Sequence, residues 1–254
     1  RDRYEDRLPR YYREAGKVSK AVACYRAKAE KDPKDVKVRE TLALLALARN
    51  RQKETARYIS EIRDIRKEDS PRVLRLEGQL LVAQRNYKQA LRKLLAVEKT
   101  SPHDADLQYF IGLCYLRTGD PRQGRTYMEK VSARFPDNER VGRALAEIYY
   151  VLGHLEEAKK LAEHLRATGR RSTVLDIIIW DAETKIGDVG RGETGWRTFT
   201  EENPDRPEGW IGLADALWRQ GKRTEAVEVM KKAYELDNKS FRTTWTLANM
   251  RVVQ

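Results

Sequence analysis

An all-α solenoid of antiparallel helix pairs is the fold class this chain predicts, on three observations. Of its 254 residues 35% are charged and 40% hydrophobic, with few Gly and Pro, a balance that favours helices over sheets. Pro33, Pro102, Pro136 and Pro204 are separated by 69, 34 and 68 residues, which sets a period of 34. In that frame the turn position is filled by Gly16, Arg51, Arg85, Gly119, Gly153, Gly187 and Gly221, with one interval of 35. Five residues further on stand Ala21, Ala56, Ala90, Gly124, Ala158, Gly192 and Ala226, all Ala or Gly. Where two antiparallel helices cross closely, only a small side chain lets the backbones approach.

The first unit, about 2–35, has Gly16 in its turn and Pro9 at the small position of its first helix. The second, 37–70, places Ser60 and Arg63 where its second helix should be apolar. The third is 71–104, turning at Arg85. In the fourth, 105–138, Ile111, Cys114 and Tyr115 share one stripe, and Gly112, Met128, Val131 and Pro136 follow in order. The fifth, 139–172, repeats the stripe with Leu145, Ile148, Tyr149 and Leu152, adding Ala146 and Leu165. Its boundary, RATGRRSTVLD, lacks Pro but supplies Gly169 as a helix stop and Thr173-x-x-Asp176 as a start. The sixth unit is 173–206. The seventh, 207–240, sets Trp210, Leu213, Ala214 and Leu217 on its first helix and Ala226, Met230 and Ala233 on its second, with Asn238 where Pro is usual. Residues 241–254 read as the first helix of an eighth unit or a capping helix. The abrupt start and the helical last residues, TTWTLANMRVVQ, suggest a segment of a longer protein.

These residues resemble the tetratricopeptide repeat (TPR) family, whose pattern is W-x2-L-G-x2-Y, then A-x3-F, then P over 34 residues. The seventh and fourth units carry the resemblance best, the fourth with Gln108 in place of Trp; units one and two depart most. The resemblance implies a right-handed superhelix of helix pairs whose first helices line a concave groove. It also implies a non-catalytic interaction scaffold with no cofactor, binding an extended segment or the surface of a protein partner. The Arg-, Leu- and Ala-rich style resembles bacterial TPR scaffolds attached to envelope export machines for exopolysaccharide, pili or lipoproteins. Periplasm and cytoplasm are both compatible with it, the periplasm slightly favoured, and a membrane would be met only through parts of a parent protein not seen here.

The stretch GDVGRGETGWR spells GxGxxG at Gly190, Gly192 and Gly195. A phosphate loop needs a buried strand before it and a helix opening after it, so that backbone N–H groups converge on the phosphates. In the repeat frame Gly187 is instead a turn, Gly192 the small crossing residue and Trp196 the large residue four positions later; Gly190 and Gly195 have no role in the frame. Glycines inside that second helix should make it the loosest of the seven. No GK[ST], GxSxG or HExxH motif occurs. His103, His154 and His164 have no Cys or carboxylate pair beside them at metal-ligand spacing, so no metal site is expected. Cys24 and Cys114, 90 positions apart, read as buried free thiols.

On each first helix the groove-facing positions lie opposite the core stripe. Unit three offers Arg72, Arg75 and Gln79; unit four Asp106, Tyr109, Leu113 and Leu116; unit five Arg140, Arg143, Glu147 and Tyr150. Units six and seven offer Ile177 with Asp181, then Glu208, Ile211, Asp215 and Trp218. The expected groove therefore runs from basic to acidic around an apolar middle, with Tyr109, Leu113 and Leu116 as anchors. The two-carboxylate clamp of co-chaperone TPR domains would need Lys and Asn, Asn, then Lys and Arg. Here the corresponding residues are Arg75 and Gln79, Leu113, then Arg143 and Glu147, so the clamp is incomplete. An alternative partner is an anionic polymer or nucleic acid. Residues 1–100 hold 27 Lys+Arg against 15 Asp+Glu and so carry the whole net charge of +12, with Tyr4, Tyr11, Tyr12 and Tyr25 available for stacking.

Overall fold

The computed structural model describes residues 12, 15–66, 70–169 and 172–252, and among them fourteen α-helices and no strand. Pro9, Tyr4 and Tyr11 lie outside the described residues. In chain order the helices are α1 (Val18–Lys31), α2 (Val36–Ala48), α3 (Gln52–Arg66), α4 (Pro71–Ala83), α5 (Tyr87–Glu98), α6 (Ala105–Thr118) and α7 (Pro121–Arg134). They continue as α8 (Glu139–Val151), α9 (Leu155–Ala167), α10 (Thr173–Ile186), α11 (Val189–Glu202), α12 (Pro207–Arg219), α13 (Arg223–Leu236) and α14 (Phe241–Val252). Among the described residues no helix is long and apolar enough to cross a membrane. The chain forms two compact units, Arg1–Tyr127 and Met128–Gln254, divided within α7.

Several helices start where an oxygen-bearing side chain takes a free N–H of the first turn. Asp35, Ser70, Asn86, Asp104, Asn138 and Asp188 each accept such a bond. Ser172, not the expected Thr173, is the residue before α10; Thr173 is already helical, and no side chain caps that end. Most turns within pairs use a left-handed residue. Gly16, Gly119, Gly153 and Gly221 supply it, as do Asn50 at φ 54° and Arg85 at φ 60°. Gly187 does not, its φ being −113°. Gly169 stops α9 at φ 82°, as its place in the sequence suggests.

The second unit of the sequence frame is shifted by one residue. Asn50 rather than Arg51 makes the turn, and Thr55, fully buried, takes the crossing position expected for Ala56, which is exposed. A one-residue slip turns a helix by about 100°. It moves Ser60 and Arg63 to the surface and Ile59 and Ile62 into the core, which accounts for the polar residues that broke the pattern.

In the first unit Leu42, Ile59, Ile62, Val73 and Leu76 form one cluster and Leu94, Leu107, Ile111 and Cys114 another. Burial pushes the Cys114 thiol up to about 12, so it is inert, whereas Cys24 is only half-buried. In the second unit Ala158, Ala162, Leu175, Ile178 and Ile179 form one cluster; Trp196, Phe199, Leu213, Leu217 and Met230 form the next. Each fully buried Leu or Ile contributes roughly 1.5–3 kcal/mol.

Helix α11 shows what the glycines of GDVGRGETGWR do. A Cβ on Gly192 would come within 3.0 Å of the Thr184 backbone nitrogen, so this is the close crossing of α10 and α11. A Cβ on Gly195 would lie 2.1 Å from the Trp180 indole, and one on Gly212 would lie 2.3 Å from the Trp196 indole. Each glycine thus makes the flat seat on which a tryptophan of the preceding helix rests. Trp196 is 1% exposed, and its indole N–H donates to Thr184 Oγ1 at 3.2 Å. Gly190 occupies the first turn, where its N–H and that of Arg191 donate to Asp188 Oδ1 at 2.8 and 3.2 Å. The amides that a phosphate would need are therefore held by the helix's own cap.

Candidate functional site

The expected groove residues of the first unit are largely engaged by the chain itself. Arg72 pairs with Glu40 at 3.2 Å. Arg75 donates to Asp104 and lies 3.5 Å from Asp106. Gln79 is 5% exposed, which takes it and Arg75 out of any clamp for a free carboxylate. Tyr109 and Leu116 are 9% and 8% exposed, so they belong to the core and offer little area; Leu113 is half-buried.

Several basic side chains of this unit are similarly paired with carboxylates. Arg26 and Arg57 both reach Glu54, Arg39 pairs with Glu61 at 3.1 Å, and Arg63 and Lys93 both reach Glu77. The contact with Arg26 holds the Glu54 carboxyl below its usual range, and Tyr58 and Glu54 hold the Arg26 guanidinium above its own. Tyr25 packs against the core, and Lys20 lies over the Tyr12 ring.

The second unit keeps an open site on its first helices. A cavity of about 440 Å³ is lined by Tyr150 from α8, by Ile177, Asp181 and Lys185 from α10, and by Glu208, Ile211, Asp215 and Arg219 from α12. Trp196, Gly212, Thr246 and Met250 complete its walls. Six of the groove-facing residues expected from the sequence, Tyr150, Ile177, Asp181, Glu208, Ile211 and Asp215, thus come together. Arg140 and Arg143 are exposed on α8 and do not line the cavity. Trp218 is half-buried against the core cluster around Leu217, with the Arg223 guanidinium 5.5 Å from its ring centre.

Asp181 is 8% exposed, and Lys185 Nζ lies 2.7 Å from its Oδ2, although that oxygen receives no well-directed hydrogen bond. The same ammonium is 6.0 Å from the centre of the Tyr150 ring. Asp215 Oδ2 lies 3.1 Å from Arg219 Nε. Lys185 and Arg219 were not foreseen, yet their signal was present: each follows its aspartate by four residues, and the two are 34 apart, on the same helical stripe.

Helix α11 is fixed by a charged network. Lys222 Nζ and Gln220 Nε2 donate to Glu193 Oε2 at 2.7 Å each, and Arg197 Nε donates to Oε1 at 2.9 Å. Burial would raise the Glu193 carboxyl, but these three donors outweigh it and hold the group at about 2. Among the described residues no cluster of His, Cys, Asp and Glu could hold a metal.

Helix hairpins in series, small residues at their crossings and an open face on the first helices define a helical-repeat binding scaffold. The tetratricopeptide repeat pattern matches residues 81–144 and 119–175 in one form and 181–241 in a second, and the chain belongs to the tetratricopeptide repeat family. A curated relative, cellulose synthase 1 operon protein C of Komagataeibacter xylinus, is 25% identical over 61% of this chain. The match spans only 12% of that protein. The structure of Pseudomonas aeruginosa pilF is similar with a TM-score of 0.63 at 18% identity, over 82% of this chain and 94% of that one. A tetratricopeptide repeat protein of Parabacteroides merdae matches with a TM-score of 0.54 at 13% identity, over 98% of both chains. At these identities the structures establish the fold alone. Proteins of this family are generally non-catalytic scaffolds for protein–protein interaction, and that is the function class the repeats imply here.

Proposed function

We propose that the chain is a scaffold segment that holds a protein partner, as an extended segment or a folded surface, against its first helices, within a bacterial envelope export or assembly machine such as one for exopolysaccharide. The observation that carries the binding surface is the 440 Å³ cavity of the second unit, whose mixed apolar and charged walls are those of a recognition site. The exopolysaccharide setting is supported by the cellulose synthase operon relative. Tyr150, Asp181 and Asp215 are the residues proposed to meet the partner there, with Arg140, Arg143 and Trp218 on neighbouring surface. In the first unit Leu113, Arg72 and Arg75 are the corresponding candidates, with Tyr109 and Leu116 supporting them from below.

A photo-crosslinking residue at Ile211 in the cavity, compared with one at exposed Glu228 on α13, tests the surface directly. Crosslinks from Ile211 to one protein, absent from Glu228, are expected in an extract of the source cell. Crosslinks only from Glu228, or from neither, would remove the first-helix face as the binding surface. A polyanion on the first hundred residues is the competing reading, supported by their 27 basic against 15 acidic residues. Its affinity would fall steeply with salt, whereas a ligand of the apolar cavity walls loses much less.

A further inference from the structure

We infer that the cavity of the second unit is a subsite for a basic side chain, lysine or arginine, projecting from an extended segment of a protein partner; this rests on the first helices being the binding surface. The lining contains the same triplet twice. Ile177, Asp181 and Lys185 on α10 recur 34 residues later as Ile211, Asp215 and Arg219 on α12. At spacings of four the three side chains of each helix lie along one stripe, so two stripes of isoleucine, carboxylate and cation border a single cavity.

Isoleucines form an apolar wall for the methylenes of a long basic side chain, and the carboxylates stand next to them for its charged head. The chain already places an ammonium in this setting, because Lys185 Nζ lies 2.7 Å from Asp181 Oδ2 and 6.0 Å from the centre of the Tyr150 ring. Asp181 is nine-tenths buried and its Oδ2 lacks a directed hydrogen bond, so its carboxylate is only partly satisfied.

The internal cations are replaceable. The Lys185 and Arg219 side chains are 35% and 42% exposed, and both pairs are local i,i+4 contacts of the kind that bind weakly. Asp181, Glu208 and Asp215 line the cavity; Lys185 and Arg219 stand beside the two aspartates, and Glu208 is met by Arg206 at 3.4 Å from outside the lining, in a chain whose net charge is +12. An acidic segment would meet the three lining carboxylates unfavourably, whereas a basic one meets the incompletely bonded Asp181 carboxylate, although the whole chain repels it. Selective binding of a cation here would therefore be specific to the site.

The test uses the full chain and two dye-labelled, end-blocked heptapeptides, one alternating alanine with lysine and the other alanine with glutamate. By fluorescence polarisation the lysine peptide should bind at least about tenfold more tightly than the glutamate peptide. Asp181→Asn and Asp215→Asn should each weaken the lysine peptide about fivefold, and Lys185→Ala, which frees a carboxylate, should tighten it about two- to fivefold. Helical circular dichroism checks that the variants fold, and Asp215→Asn, at a more exposed site, serves if Asp181→Asn does not. Equal binding of the two peptides, or indifference of the lysine peptide to both aspartate variants, would overturn the inference. A crosslinked partner at Ile211 that ignores both variants would sink the basic subsite while leaving the scaffold reading intact. No crosslink at Ile211 alongside variant-sensitive lysine-peptide binding would do the reverse.

Discussion

Set side by side, the first helices of the two units answer the same repeat pattern in opposite ways. In the first unit the charged positions are spent on contacts within the chain, Arg72 on Glu40 and Arg75 on Asp104 and Asp106, and Tyr109 and Leu116 are covered. In the second, Tyr150, Asp181 and Asp215 border an open cavity. Equivalent places in a repeat therefore do not have equivalent availability. What differs is where the partner comes from: Arg72 and Arg75 pair with carboxylates of neighbouring helices or their caps, whereas Asp181 and Asp215 pair with a cation four residues further along their own helix and border a cavity.

The largest expected effect separates the packing that supports the cavity from the cavity itself. Trp196 is 1% exposed, and Trp196→Ala should destabilise the second unit by about 3–5 kcal/mol in urea unfolding. Hydrogen exchange should show the loss confined to residues 128–254; loss of protection in the first unit to the same extent would mean that the two do not differ as described. Ala158, fully buried at its crossing, gives a smaller effect: Ala158→Leu should cost roughly 1–3 kcal/mol, and an unchanged unfolding midpoint would contradict the crossing assignment.

A pH series adds a graded comparison. The folded Glu193 carboxyl lies near 2, below its ordinary value of 4.5, so its stabilising contribution is complete above about pH 4.5 and is lost as pH falls towards 2. Glu193→Gln should cost on the order of 1–3 kcal/mol at neutral pH and flatten the acid limb of the stability profile between pH 4.5 and 2. An acid limb unchanged by the substitution would remove Glu193 from the account. The smallest effect belongs to one of the two turns of the first unit that use a non-glycine residue: Arg85→Gly should stabilise by about 0.5–1 kcal/mol, since φ is 60° there, and any destabilisation would argue against the left-handed turn.

The repeat was legible because a 34-residue period leaves its mark at the two most constrained places, the left-handed turn and the close crossing. It blurred where a second residue type satisfies the same constraint. Asn50 tolerates the left-handed region and Thr55 is small enough for the crossing, so the frame slipped by one at that pair. The purpose of Gly195 was invisible because it depends on Trp180, fifteen residues earlier, and no local pattern links them. For the same reason α11 should be less loose than its glycine content suggests. Exposure was the least readable property. A stripe opposite the core identifies the outward face of one helix, but Tyr109 and Leu116 show that this face can itself be covered.

The tryptophan–glycine seats also bear on how such an array can be rearranged. Helices that meet through small and aliphatic residues, such as α8 and α9 at Gly142 and Leu165, are nearly interchangeable parts, because many neighbours present similar surfaces. Trp180 on Gly195 and Trp196 on Gly212 are keyed to one another. Excising or duplicating a 34-residue block that begins between α10 and α12 would bring an indole against a Cβ or leave a glycine without its ring. The stretch from Trp180 to Gly212 should therefore be inherited as one piece, and recombinant chains joined outside it should fold more often than chains joined within it.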